Sequence, residues 1–186
     1  MCYDLSVYIH PSSNSQAGQE SFVLSKTNYK KFGTYIEVGA YHPKIDSNTY
    51  VLETEFNWTG ISLEINQARS DFFNLTRKNQ CICTNALTYN FKKELKQNNF
   101  PVEFDYLQID IEPALNSFLC LLKFPINTYT PRIITFEHDK YANRINWVFQ
   151  KLANFYLTVK SYKRVVKDVS PLNSKLMPFE DWYLKI

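Results

Sequence analysis

Glycine is nearly missing from this chain, with four in 186 residues. Each one is therefore expected where the backbone geometry demands it. So few glycines leave no room for a G-x-G-x-x-G dinucleotide loop, and no G-x-x-x-x-G-K-[ST] phosphate cradle occurs. The four cysteines form no C-x-x-C pair and no histidine stands at metal-ligand spacing from them, which argues against a structural zinc site or a disulfide framework. Cys81 and Cys83 are two apart in a strand-like run and would share a face; Cys2 and Cys120 are isolated. Reduced thiols are expected throughout. No signal-peptide pattern is present, and the apolar runs are too short to span a bilayer. A cytoplasmic, reducing compartment and no membrane partner are the expectation. There is no internal repeat, low-complexity tract or linker, so residues 1–186 read as one domain, with 1–32 a leading segment and 33–186 the core. The formal charge of +3 is mild and the lysines are dispersed, which argues against a nucleic-acid partner.

What is present is an alternation of strand-like and helix-like stretches. Gly33 to Val38, Ile61 to Ile65, Gln80 to Ala86, Phe104 to Ile111 and Pro131 to Glu137 read as strands, followed by Lys163–Val166 and Trp182–Leu184. Helices are predicted over Gln19–Leu24, from an Asp46 or Ser47 cap to about Asn57, and over Gln67–Lys78, Pro113–Lys123 and Asn143–Leu157. Phe72, Phe73 and Leu75 should face inward from the third of these, and Ile145, Val148, Phe149, Leu152 and Phe155 from the last. Gly60 is expected to turn the chain into the second strand. Residues 87–102 read as a polar surface connection. The pattern predicts an α/β, doubly wound, mainly parallel seven-stranded sheet with helices on both faces.

The stretch Tyr35-Ile36-Glu37-Val38-Gly39-Ala40 organises this pattern: strand, tight glycine turn, then a helix beginning near Ser47-Asn48. Ligands of such sheets bind beyond the carboxyl ends of the strands. Glu64 closes the second strand 25 residues past Gly39, since 64 − 39 = 25, which suits a carboxylate accepting two ribose hydroxyls. A strand-end surface acid is the plainer alternative. Glu37 would favour a cationic group, or else cap the loop that follows. Asp110 and Glu112 alternate at the end of the fourth strand, a pattern open to base chemistry, a metal site, or a backbone-ordering and helix-capping pair. His138, after the fifth strand, is a candidate base because imidazole titrates near neutrality; His42 and His10 are further candidates.

These stretches also resemble the FkbM family of S-adenosylmethionine-dependent methyltransferases. The resemblance rests on Ser15–Glu20, Tyr35–Ala40, Ser47–Tyr50 with Leu52-Glu53, Trp58–Glu64, Leu107–Glu112 and Phe179–Trp182, in order along the chain. It implies a class I, Rossmann-like methyltransferase fold with S-adenosylmethionine as cofactor. The implied cofactor residues are Glu37, Val38, Gly39, Ala40, Ser47, Asn48, Glu64, Asn85, Ala86 and Asp110. On the reading of the residues themselves, the catalytic candidates are Asp110, Glu112 and His138, and no metal ligand is assigned. The acceptor would be a hydroxyl of a sugar or related small molecule, or a glycan. Two departures stand out: Pro113 where the family usually has glycine, and Tyr41-His42-Pro43 where a second Gly or an Asp-Gly is frequent. They leave a non-catalytic binding domain of the same fold as an alternative, with a nucleic-acid methyltransferase as a third. The oligomeric state is left open.

Overall fold

The computed structural model describes residues 9–174 and 176–186. The expectation for Cys2, and most of the leading irregular stretch, lie outside the described residues. Thirteen elements follow one another: α1 (Gln19–Lys26), β1 (Thr34–Val38), α2 (Tyr50–Thr54), β2 (Thr59–Glu64), α3 (Gln67–Thr76), β3 (Gln80–Cys83), α4 (Phe91–Gln97), β4 (Glu103–Ile109), α5 (Ala114–Lys123), β5 (Thr130–Glu137), α6 (Asn146–Val159), β6 (Tyr162–Val169) and β7 (Glu180–Lys185). The strands form one seven-stranded sheet in the order β3-β2-β1-β4-β5-β7-β6. All neighbours are parallel except β7, which runs antiparallel to both β5 and β6.

Strand side chains alternate between the faces. Ile36 and Val38 join Leu107, Ile109, Ile134 and Phe136 on one side, covered by Phe91 and Leu95 of α4, Cys120 and Leu121 of α5 and Ala153 and Leu157 of α6. Tyr35, Tyr106, Ile133 and Trp182 face the other side, covered by Phe22, Val23 and Leu24 of α1 and Val51 and Leu52 of α2. Burying a side chain of this size stabilises the fold by roughly 1.5–3 kcal/mol, so helices on both faces are what hold the sheet.

Several local expectations are corrected. Residues 87–102 contain a helix, α4. With only Phe91 and Leu95 buried, it has a single i, i+4 apolar pair and reads as polar. α2 is one short turn-and-a-half starting at Tyr50. Its N-cap position is Thr49, and Asp46 takes a positive φ of 56° in the preceding loop. Gly60 lies inside β2, paired with Tyr35; a Cβ there would meet the Tyr35 ring at 2.5 Å. In α3 only Phe73 of the three predicted inward residues is buried, while Phe72 and Leu75 are exposed. In α6 the buried residues are Gln150, Ala153 and Leu157, and Ile145, Val148, Leu152 and Phe155 point outward. β3 ends at Cys83, before Asn85 and Ala86. Cys81, Cys83 and Cys120 are free thiols. Among the described residues, no helix is long and apolar enough to cross a membrane.

Candidate active site

A cleft of about 590 Å³ opens beyond the carboxyl ends of β1, β2, β4 and β5. Its inner wall is the turn after β1. The Gly39 N–H and the Ala40 N–H both donate to the Leu63 carbonyl, at 2.9 and 3.1 Å. On the other side the Asp110 N–H donates to the Val38 carbonyl at 2.9 Å. Gly39 has a φ of 92°, and a Cβ on it would lie 1.7 Å from the Asp110 carbonyl oxygen. The glycine is thus required twice, by its left-handed conformation and by the close approach of β4.

Glu64 is buried at the end of β2 and lines the cleft. Its Oε2 accepts the Tyr41 N–H at 2.9 Å and its Oε1 accepts the Asn66 N–H at 2.8 Å. The carboxylate therefore pins the loops after β1 and β2, and each oxygen keeps lone-pair capacity for a further donor. Glu37 is held by two hydroxyls, Thr49 Oγ1 donating to Oε1 at 3.1 Å and Ser62 Oγ to Oε2 at 2.7 Å. Burial pushes its pKa up to about 7, against the opposing pull of the Arg77 charge and the two hydrogen bonds. Asn48 is buried at the cleft wall with no partner for its Oδ1. Asn85 turns the loop after β3, its Oδ1 accepting the Leu87 N–H at 2.9 Å, and Ala86 is buried beside it.

Not all the expected residues meet here. Val38 is wholly buried in the core, one side chain away from the cleft by strand alternation. Ser47 lies behind the wall, where its Oγ accepts from the Thr49 N–H at 3.3 Å and from Arg77 Nη1 at 3.4 Å. Glu37, Gly39, Ala40, Asn48, Glu64, Asn85, Ala86, Asp110 and Glu112 all line the cleft.

At the β4–β5 end four carboxyls gather: Asp110 and Glu112 after β4, Glu137 closing β5 and Asp139 just beyond. The loop that carries the first two is fixed by Ser117, whose Oγ accepts the Ile111 N–H at 3.0 Å and donates to the Ile111 carbonyl at 2.9 Å. The Glu112–Pro113 peptide is cis. Burial raises the pKa of Asp110; the nearby Glu112 charge adds to the rise, and a hydrogen bond shared with Glu137 opposes it. Burial, then the charge of Asp110, lifts Glu137 well above the carboxylate range. Asp139 rises to about 6 by burial and the charges of Asp110 and Glu112. Burial and mutual repulsion thus work against simultaneous ionisation of Asp110, Glu137 and Asp139. Glu137 is only 8% exposed, and its Oε2 has no partner.

His138 is corrected as a base candidate. Between Glu137 and Asp139 it alternates to the opposite side of the strand end, where it is fully buried and away from the cleft lining. Its Nδ1 accepts the Lys140 N–H at 3.1 Å, and its Nε2 lies 3.4 Å from Asp181. His138, Asp168 and Asp181 bring ligand-type atoms within 4.8 Å of one another. That space is taken: Gln150 Nε2 donates to both aspartates, Arg164 binds Asp181 at 2.9 Å and Lys140 binds Asp168 at 2.9 Å. His42 accepts the Lys44 and Ile45 N–H groups to form its loop, and His10 packs edge-on against Phe56.

Sequence reasoning missed two features. Arg77, near the end of the predicted Gln67–Lys78 helix, is buried and serves as the hub of the wall. It reaches Glu53 at 2.8 Å, the Pro43 carbonyl at 2.8 Å, the Thr49 carbonyl at 3.0 Å and the Tyr35 hydroxyl at 3.3 Å. Nothing in an Arg-Lys pair at a helix end marks this. The second feature is the Glu137–Asp139 pair, for which strand alternation was the available signal.

No family model matches the chain, and no curated protein matches it by sequence. Solved structures do match its shape. An O-methyltransferase from Bacillus cereus, in complex with SAH, superposes with a TM-score of 0.62 at 14% identity, over 95% of this chain and 84% of that one. The N-methyltransferase NodS from Bradyrhizobium japonicum gives 0.57 at 10%, over 90% and 94%. A TehB-like SAM-dependent methyltransferase from Corynebacterium glutamicum gives 0.56 at 10%, over 90% and 88%. At these identities the likeness establishes the fold: a class I methyltransferase, Rossmann-like α/β sheet.

Proposed function

We propose that this chain is an S-adenosylmethionine-dependent methyltransferase. The observation that carries the reading is the cleft itself. It places the positive-φ turn at Gly39, the Glu64 carboxylate at the end of β2 and the unpartnered Oδ1 of Asn48 around one space of about 590 Å³. Glu64 would accept the two ribose hydroxyls on the lone pairs that the Tyr41 and Asn66 amides leave free. Asn48 Oδ1, buried without a donor, would take an N–H of the ammonium, with Glu37 behind it supplying negative charge. Asn85 and Ala86 would border the base. S-adenosylmethionine supplies a methyl group already activated on a sulfonium.

What the chain adds is alignment and proton removal. Holding two reactants in line contributes roughly 7–11 kcal/mol to lowering a barrier. A positioned base contributes about 10²–10⁴-fold. Asp139 suits that role better than His138: it lines the cleft, and with a pKa of about 6 it is largely ionised at neutral pH yet basic enough to take a proton. Asp110 and Glu112 share its wall and complete the catalytic set.

We further infer an FkbM-like enzyme that methylates an oxygen of a sugar or related hydroxyl acceptor, supported by the ordered motif matches and by the lack of an Asn/Asp-Pro-Pro-Tyr motif. The cleft lining speaks against nucleic acid: among the described residues Glu37, Asp46, Glu64, Asp110, Glu112, Glu137 and Asp139 face it, with Arg69 the one basic side chain, and a surface rich in acids disfavours phosphates. A screen of labelled methyl transfer to sugars, glycans, nucleotide sugars, phenols and RNA tests the reading. Transfer to a hydroxyl acceptor supports it; tight cofactor binding with no transfer to any member favours a binding domain of the same fold.

A further inference from the structure

The β4–β5 end of the cleft holds more carboxyl groups than a cofactor can use. S-adenosylmethionine carries one carboxylate, one ammonium and one sulfonium, so its net charge is a single positive. Glu64 and Glu37 already sit on the β1–β2 side to meet it. Asp110, Glu112, Glu137 and Asp139 remain at the opposite end. Among the described residues the one basic side chain of the lining, Arg69, is on α3, where it stacks over the Tyr41 ring at 4.4 Å, on the β2–β3 side. Glu137 is more than nine-tenths buried, faces the cleft and leaves Oε2 without a donor. A buried carboxyl oxygen without a donor is costly, and a ligand donor in the cleft would remove that cost.

We infer that the acceptor carries a protonated amine beside its nucleophile, bound by Glu137 Oε2, with Glu112 and Asp139 supplying charge around it. The inference rests on the methyltransferase reading of the same cleft. An ammonium offers three N–H donors and one positive charge, which matches an oxygen lacking a donor and carboxyls that otherwise have to share protons. The rings of Tyr141 and Phe179 also line the cleft, and an aromatic ring favours a nearby cation. A divalent metal fits less well. Among the described residues, the group of three whose ligand atoms lie within 4.8 Å of one another is His138, Asp168 and Asp181, not these carboxyls. An ammonium needs only one direct acceptor here, Glu137 Oε2, with the other carboxyls acting on its charge through space.

The test is calorimetry on the full chain saturated with S-adenosylhomocysteine, at a pH where the probe amine is protonated. Glucosamine, N-acetylglucosamine and glucose share a ring, and only the first is charged; ethanolamine and spermidine add amines without the ring. Glucosamine should bind at least about tenfold more tightly than its two neutral partners, a difference of about 1.4 kcal/mol. Its binding enthalpy should depend on the buffer, because the arriving cation releases protons from the carboxyl group. Glu137→Gln and Asp139→Asn should each remove most of the preference while S-adenosylhomocysteine affinity holds, which also reports that the variants fold. Equal binding of charged and neutral sugars overturns the inference. So does a preference that survives both substitutions, or failure of every amine to bind protein that holds S-adenosylhomocysteine. Magnesium binding lost on the same substitutions overturns it too, by giving the charge to a metal. If S-adenosylhomocysteine itself does not bind, it is the methyltransferase reading that fails.

Discussion

The backbone carbonyl of Asp110 occupies the space beside Gly39 where any other residue would carry its Cβ, 1.7 Å from the ideal position. The turn that opens the cleft and the strand end that carries its acids are thus packed backbone to backbone. The first prediction follows. Gly39→Ala has to part β1 from β4 and also hold alanine at a φ of 92°. Substitution here acts on the fold before it acts on a ligand. Gly39→Ala should lower the thermal midpoint markedly and Gly39→Val should prevent cooperative folding, both read by circular dichroism. A Gly39→Val protein with wild-type stability would mean the close approach is misplaced.

Arg77 leads to a second prediction. Its guanidinium is wholly buried against a buried Glu53, and the same group holds the Pro43 and Thr49 carbonyls. Removing one member of a buried ion pair costs roughly 3–5 kcal/mol because the other is left uncompensated. Arg77→Met should cost about that in urea denaturation and should loosen the loop bearing Asn48. Adding Glu53→Gln should recover part of the loss. A cost below about 1 kcal/mol would place Arg77 among the weak surface pairs.

The contrast between Arg77 and Glu64 shows what the sequence carries. Glu64 was legible because a strand end and a fixed distance from a glycine are one-dimensional features. The parallel sheet was legible for the same reason: apolar runs such as Tyr35–Val38 and Leu107–Ile109 recur between helical stretches. Arg77 was illegible because its partners, Tyr35, Pro43, Thr49 and Glu53, lie 24 to 42 residues away and meet only in the fold. α6 misled for another reason. Its apolar residues outnumber what one face of the sheet can bury, so Ala153 and Leu157 went inward with Gln150, which feeds the Asp181 network, and Leu152 and Phe155 stayed outside. His138 drew notice as a rare titratable residue. Strand alternation gave the cleft to Glu137 and Asp139 instead.

Stability should depend on pH in a direction set by the buried acids. Burial raises Glu37 to about 7 and Glu180 to about 8, from a usual 4.5. Such groups bind more protons folded than unfolded, so stability falls as pH climbs from about 4.5 to 8, by about 1.4 kcal/mol per unit of pKa difference for each group. Asp181 and Asp168 run the other way. Burial works against their ionisation, but hydrogen bonds from His138 and Arg164 to the first, and from Lys140 and Gln150 to the second, hold both below the usual value. Their contribution is present above about pH 4 and is lost below it. Urea denaturation of the ligand-free protein should therefore show greatest stability near pH 5. A steady gain from pH 5 to 8 would contradict this.

The base can be assigned by pH profile. If Asp139 takes the acceptor proton, kcat/KM should rise through about pH 6. Asp139→Asn should abolish that limb and slow transfer by about 10²–10⁴-fold. His138→Gln should cost stability, since its ring holds the Lys140 amide and Asp181, but should leave the profile of the folded fraction unchanged. A limb that disappears in His138→Gln and persists in Asp139→Asn would return the role to the histidine.

The central claim is that Glu64 marks the ribose end of a cofactor cleft. Calorimetry with S-adenosylmethionine and S-adenosylhomocysteine tests it most directly, comparing wild type with Glu64→Gln. The amide keeps one acceptor oxygen for the Tyr41 or Asn66 N–H, so the loops stay largely tied. It loses charge-assisted bonds worth roughly 1.5–3 kcal/mol each. Wild type should bind both compounds at one site, and Glu64→Gln should bind each at least about tenfold more weakly while melting near the wild-type temperature. Absence of binding by the wild-type protein, or equal affinity in a folded Glu64→Gln variant, would contradict the account.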